Sequence, residues 1–312
     1  MKPISFSESS EADRPPHRTC GTVSSNNILM ERFPQFRLNL AEIEGNYQKL
    51  READRIQNLP TATIQVVVHV VYQTEEQNIS DQQVMGQIEV LNRDFGASNP
   101  DKSSLPKAWS NLPMDSGIRF SLACSDPQGN PTDGIVRKQT DKGGFDHLDS
   151  VKFTNQGGSD AWPTDKYLNI WVCNMLGGLL GYAQFPGGPV ETDGVVVFYR
   201  AFGTEGTAQV PFNLGRTCTH EVGHYLNLRH IWGDTQDCSG SDYVEDTPLQ
   251  QLPNYNKPSF PHISCNNGPD GDMFMNYMDY VDDDTMVMFT PGQVARMRTS
   301  LSGPRSGLIQ QQ

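Results

Sequence analysis

The sequence predicts an α/β fold: a twisted, mixed, five-stranded sheet with two long helices, above an irregular lower part that ends in a C-terminal helix. Three observations predict it. Thr63–Tyr72 is β-branched and almost continuously apolar, as a strand buried on both faces must be. Shorter apolar runs recur after it, each bounded by turn-forming residues. Between them lie segments whose apolar residues repeat at helical spacing, whereas most of the last third shows neither period.

The elements follow in order. Residues 1 to about 55 are polar and punctuated by Pro15, Pro16 and Pro34, so they read as an extension with one short helix near Leu40–Glu52. The remainder, from about 56 to 312, reads as one domain, divided near residue 227 into an upper and a lower part. Its first strand is Thr63–Tyr72. Ser80 and Gln83 have the spacing of a capping box, and Val84, Ile88 and Leu91 recur on one face of the helix they start. Ile118–Cys124 and Tyr167–Cys173 read as further strands. Leu179–Phe185, between glycine pairs, and Val195–Tyr199 complete the five. A helix spans about Thr217–Asn227, and Thr290-Pro291-Gly292 opens the last one, through about Leu301.

Composition excludes some functions. Net charge is −13, which argues against a nucleic-acid partner. No stretch is long and apolar enough to span a bilayer. Met1–Met30 has no apolar core of a secretory signal, which leaves the export route open. Six cysteines suit an oxidising, extracellular setting, with the pairing of Cys124, Cys173 and Cys218 open. The apolar settings of Cys124 and Cys173 equally suit buried thiols. The acids cluster in two places, Asp234–Asp246 and Asp270–Asp284, which suits calcium or basic substrates.

Chemistry concentrates in His220-Glu221-Val222-Gly223-His224-Tyr225-Leu226-Asn227-Leu228-Arg229-His230. On a helix, His220 and His224 lie one turn apart on one face. His230 reaches the same ion only if the chain bends, and Asn227 tolerates the left-handed backbone of a bend. Three neutral imidazoles leave one tetrahedral position for water, the pattern of a catalytic Zn²⁺. Glu221 stands beside them as general base. A distant glutamate as third ligand is disfavoured by His230.

These residues resemble the metzincin zinc endopeptidases, and within them the pappalysin family, especially its ulilysin-like and mirolysin-like members. The resemblance runs over roughly residues 60–305 and rests on the histidine run, on Ile231-Trp232-Gly233-Asp234, and on Met275-Asn276-Tyr277-Met278-Asp279-Tyr280. One departure is Asn227, where the common motif has glycine. The resemblance implies a Met-turn at Met278, with Met275 as rival, and a Tyr280 that hydrogen-bonds the oxyanion. It implies that Asp234 ties loop backbone. It implies a Cys238–Cys265 disulfide and a Ca²⁺ site built from Asp242 and Thr247 with the carbonyls of Ser241 and Glu245. It places Asp284, or else Asp282 or Asp283, at the base of the pocket after the scissile bond, hence cleavage of protein and peptide substrates before Arg or Lys. Cys20, in Arg18-Thr19-Cys20-Gly21, resembles a cysteine switch that binds zinc in a latent, secreted zymogen. Self-cleavage near Arg51 or Arg55 would end latency, and a monomer is expected. The competing reading is a catalytically silent zinc- and calcium-binding module of the same fold, which a retained Glu221 disfavours.

Overall fold

The structure, a computed structural model, describes residues 17–52 and 61–309, with only the backbone for 50–52. Its centre is a strand of eleven residues, β1 (Ala62–Tyr72). β1 pairs in parallel with β2 (Ile118–Leu122) and β3 (Ile135–Gln139) on one side and with β4 (Tyr167–Cys173) on the other. β4 is buried along its whole length. β6 (Val195–Phe198) continues the sheet in parallel, and β5 (Gly181–Ala183) closes it as the one antiparallel strand of this sheet.

Six strands therefore fill five positions. β2 pairs with Ala62–Val66 and β3 with Val68–Tyr72, so together they make one divided edge. The sequence reading overlooks β3 because Arg137 and Lys138 break its apolar character, as an exposed edge permits.

α3 (Asp81–Phe95) starts at Ser80, whose side chain accepts from the Gln83 amide, and buries Val84, Leu91 and Phe95. α4 (Arg216–Tyr225) runs through the middle of the molecule with every residue buried. In the lower part, Thr290 and Gln293 form a full capping box for α5 (Pro291–Ser302). β7 (Tyr255–Asn256) and β8 (Tyr280–Val281) form a small parallel pair. A disulfide joins Cys238 to Cys265.

The N-terminal extension holds more than the short helix expected. It forms α1 (Thr22–Arg32) and α2 (Pro34–Glu52). Apolar residues are few in α1 and in the first turns of α2, which hides those parts in the sequence, but Leu29 and Phe36 pack against Phe185 just beyond β5. Cys173 and Cys218 are buried and unpaired, whereas Cys124 is exposed, against the buried setting its neighbours suggest. The chain turns at Ala123–Cys124 as β2 ends, so burial stops one residue short of it.

Candidate metal centre

α4 and the turn after it set the histidines. Asn227 adopts φ +79°, and Leu228 N–H returns to Gly223 O (2.9 Å), so the chain reverses and brings His230 back. The Nε2 atoms of His220, His224 and His230 lie 3.1–3.3 Å apart, and all three rings are buried. Each Nδ1 faces an acceptor: Tyr277 O for His220 (2.7 Å), Leu228 O for His224 (2.8 Å) and Asp234 Oδ1 for His230 (2.5 Å). These partners place the protons on Nδ1 and turn three Nε2 lone pairs toward one point. Burial, followed by the neighbouring imidazoles, holds His220 and His224 well below their ordinary protonation range. Tetrahedral zinc with bonds of about 2.0–2.1 Å separates its donors by about 3.3 Å, so the donor set fits that ion. Cys20 Sγ joins the cluster, with all four ligand atoms within 4.8 Å of one another.

Two glycines let the helix approach its neighbours. A Cβ on Gly223 would lie 2.6 Å from Met278 Sδ, so the Met278 side chain, fully buried, sits directly against the helix between the two histidines. A Cβ on Gly181 would lie 2.9 Å from Glu221 Cγ and 2.8 Å from Val196 O. Glu221 is thus wedged against β5. Burial pushes its carboxyl up to about 7, against hydrogen bonds from Cys20 and Thr22 (Oγ1–Oε2 2.9 Å). The Tyr280 ring stands 4.9 Å from that of His230 and 5.8 Å from that of His220. Burial above all raises its phenol far beyond its ordinary value, which keeps it a donor.

The extension lies along β5. Leu180 N–H donates to Thr19 O (3.0 Å) and Gly21 N–H to Gly181 O (2.9 Å), while Thr22 Oγ1 accepts from Ala183 N–H (2.9 Å). Asn26 completes the edge with its amide, donating to Ala183 O (2.8 Å) and accepting from Phe185 N–H (2.9 Å). Arg18 is buried. Its guanidinium reaches Asp283 Oδ1 (2.6 Å), Thr217 Oγ1 (2.8 Å) and Val281 O (3.2 Å).

That contact distinguishes the three aspartates of the acidic run. Asp284 is half exposed and pairs with Lys257. Asp283 is the buried member and also accepts from Leu214 N–H (2.7 Å) and Arg216 N–H (3.2 Å). In a run of three aspartates, only the direction each takes from the turn after β8 separates them. Asp234 also differs from expectation, since it holds an imidazole rather than loop backbone.

In the acidic loop, the Asp242 carboxylate is buried and accepts from Thr247 Oγ1 (2.8 Å) and Val244 N–H (3.1 Å). Burial pushes it up to about 7. Ser241 and Glu245 flank it on the exposed side. Asp246 caps α5 through Thr290 Oγ1 and Gly292 N–H. Asp272 and Asp279 accept from Asn267, Ser264, Gln250 and Asn254. Several acids of the cluster are thus hydrogen-bond hubs of irregular loops. Arg18, Thr22, Asn26 and Asp283 are the site residues the sequence reading missed or left open. Asp283 was one of three candidates in its run, and Arg18 carried a signal as a basic residue two positions before the thiol.

Residues 153–302 match the peptidase family described as pregnancy-associated plasma protein-A. An extracellular metalloprotease of Arthroderma benhamiae is 32% identical over 251 residues, covering 78% of this chain and 79% of that protein. The chain belongs to the pappalysin family. A promirolysin mutant of Tannerella forsythia is 46% identical, with a TM-score of 0.86, over 94% of this chain and 97% of that one. Mature mirolysin from the same organism, in complex with a cleaved peptide, is 50% identical, with a TM-score of 0.79, over 81% of this chain and 97% of its own. This pappalysin is accordingly a metallopeptidase. Among its described residues no helix is long and apolar enough to cross a membrane.

Proposed function

We propose that the chain is the latent, secreted precursor of a zinc endopeptidase that cleaves on the amino side of Arg or Lys. His220, His224 and His230 hold the zinc, and Cys20 takes its fourth position in the precursor. A zinc ion there supplies Lewis acidity, for the scissile carbonyl and for water. Glu221 accepts the water's proton and delivers it to the leaving amine. Tyr280 donates to the oxyanion, and β5 pairs with the substrate main chain. Asp283, in place of Asp284, receives the basic side chain after the scissile bond. Met278 supports the histidines from below. Asp242 and Thr247, with the carbonyls of Ser241 and Glu245, hold a structural Ca²⁺.

One observation carries this reading. A buried guanidinium on Asp283 stands two residues from a thiol that faces three converged imidazoles. The precursor thereby presents to its own cleft the side chain that a substrate would present. Residues 1–55 act as the pro-segment and 56–312 as the catalytic domain. The activation point lies near Arg51 or Arg55; Arg55 and the Arg51 side chain fall outside the described residues.

The test is product sequencing by mass spectrometry after incubation of a peptide library with self-processed enzyme. New N-termini should be Arg or Lys, and Asp283→Asn should erase that preference. Activity that persists after zinc is stripped, or N-termini without basic bias, would overturn the reading.

A further inference from the structure

Glu44 of α2 places both carboxylate oxygens on Arg296, at 3.1 Å from Nη1 and 2.5 Å from Nη2. Arg296 is wholly buried, and its Nε donates to Asn227 O (2.7 Å), the bend between the second and third histidines. Its guanidinium lies 4.9 Å from the Tyr47 ring and 5.7 Å from the Tyr243 ring. Arg229, next to His230, stacks over Phe185 (5.1 Å) and Tyr243 (5.4 Å). Its Nε is buried and has no hydrogen-bond partner among the described residues. Two guanidinium groups and three rings thus make a cationic pocket, and the carboxylate in it is Glu44.

The pocket lies on a definite side of the reacting bond. Arg18 enters the Asp283 pocket from the Leu180 end of β5. Residues before the scissile bond therefore run the other way, past the imidazoles and toward Phe185. The Phe185 ring is 5.7 Å from that of His224, and Arg229 lies against its other side. At about 3.3 Å per extended residue, an acidic side chain roughly three residues before the bond reaches the guanidinium groups.

Glu44 and Tyr47 belong to the pro-segment, whereas Phe185, Arg229, Tyr243 and Arg296 belong to the domain that stays. Maturation therefore removes the anion and leaves its cations. We infer that in the mature enzyme the Arg229–Arg296 pocket is a substrate subsite for a carboxylate on the amino side of the scissile bond, and that Glu44 is its stand-in in the precursor. The inference rests on the endopeptidase reading and adds a second charge requirement, acid before the bond and base after it. Two like charges close together over aromatic rings favour an anion strongly, since planar guanidinium groups bind carboxylates in bidentate fashion. The chain as a whole is acidic at −13, so a local cationic site must overcome a repulsive surround.

The experiment uses self-processed enzyme and pairs of quenched fluorescent peptides. All carry Arg after the scissile bond, and Glu or Gln is placed in turn at each of the second to fifth residues before it. At one position the Glu peptide should be cleaved with roughly tenfold higher kcat/KM, mostly through KM, and the ratio should shrink with salt. In Arg229→Gln, the Glu/Gln ratio measured within that variant should fall toward one. As a second readout, a Glu44→Gln precursor should mature several-fold faster than the parent. Cleavage of both peptides at Arg with equal kcat/KM at every position overturns the acidic subsite and leaves the endopeptidase reading standing. Cleavage of neither overturns both.

Discussion

Replacing Arg18 by Ala should loosen the pro-segment by an amount the structure allows to be worked out. The guanidinium makes three hydrogen bonds, one of them charge-assisted to Asp283, and lies 5.1 Å from the centre of the Phe212 ring. Breaking a buried ion pair by removing one partner typically costs about 3–5 kcal/mol, because a charge is stranded. Here the full penalty does not apply. In the closed form of the variant, Asp283 keeps its bonds from Leu214 and Arg216, and water can enter the space the guanidinium leaves. The relevant loss is then that of a charge-assisted hydrogen bond, about 1.5–3 kcal/mol. That corresponds to an open population raised roughly 10- to 150-fold. On the proposed reading self-processing proceeds from the open form, so its rate should rise by the same factor. The assay takes precursor purified under chelation, adds zinc, and follows both the shortened chain by mass and the hydrolysis of a fluorogenic Arg peptide. Arg18→Lys, which keeps the charge but not the fork, should fall between parent and Ala. An Arg18→Ala precursor that matures at the parental rate would refute the reasoning, because the guanidinium would then contribute nothing to closure. Cys20→Ala should also mature early, since it removes the thiol proposed to occupy the fourth ligand position.

Three further outcomes are expected. Gly223→Ala must push Met278 aside by several tenths of an ångström, which should cost about 1–3 kcal/mol in denaturant unfolding despite better helix propensity. Combining it with Met278→Ala should cost less than the two separate losses added, which a double-mutant cycle reads directly. Asp234→Asn leaves the His230 ring less firmly held, so zinc affinity in a competitive chelator titration should fall about 10- to 100-fold while the fold persists by circular dichroism. Replacing Cys238 and Cys265 by Ala releases a cross-link spanning 27 residues, and chain entropy puts the loss at about 3.5 kcal/mol by unfolding in guanidinium.

The parts of this molecule legible in its sequence are those set by local periodicity. β1 and β4 are buried on both faces, so their apolar runs are continuous. The imidazole trio lies within eleven residues, and the spacing alone implied both a helix and a bend at Asn227. β3 escaped because an edge strand needs only a few apolar side chains, and α1 and the start of α2 escaped because they bury little. What stayed hidden beyond these was long-range pairing. Arg18 and Asp283 are 265 positions apart, and Glu44 and Arg296 are 252 apart. No periodicity connects such residues, since the fold alone decides which of three neighbouring aspartates turns inward.

On the proposed reading, the two hidden pairs share a logic that ties latency to specificity. In each, one segment supplies the ion and the remaining domain supplies a buried or half-buried counterion that a substrate would otherwise satisfy. A cleft that closes with its own recognition chemistry is held shut only as tightly as it recognises substrate. Weakening either pocket should therefore impair selectivity and latency together, whereas a lid closed by unrelated apolar contacts would let the two vary independently. Asp283→Asn separates these cases: it should both blunt the preference for basic residues and hasten maturation of the precursor. If the variant lost its preference yet remained as latent as the parent, the Arg18–Asp283 pair would be a bystander to a closure maintained by Cys20 and the α1–α2 packing.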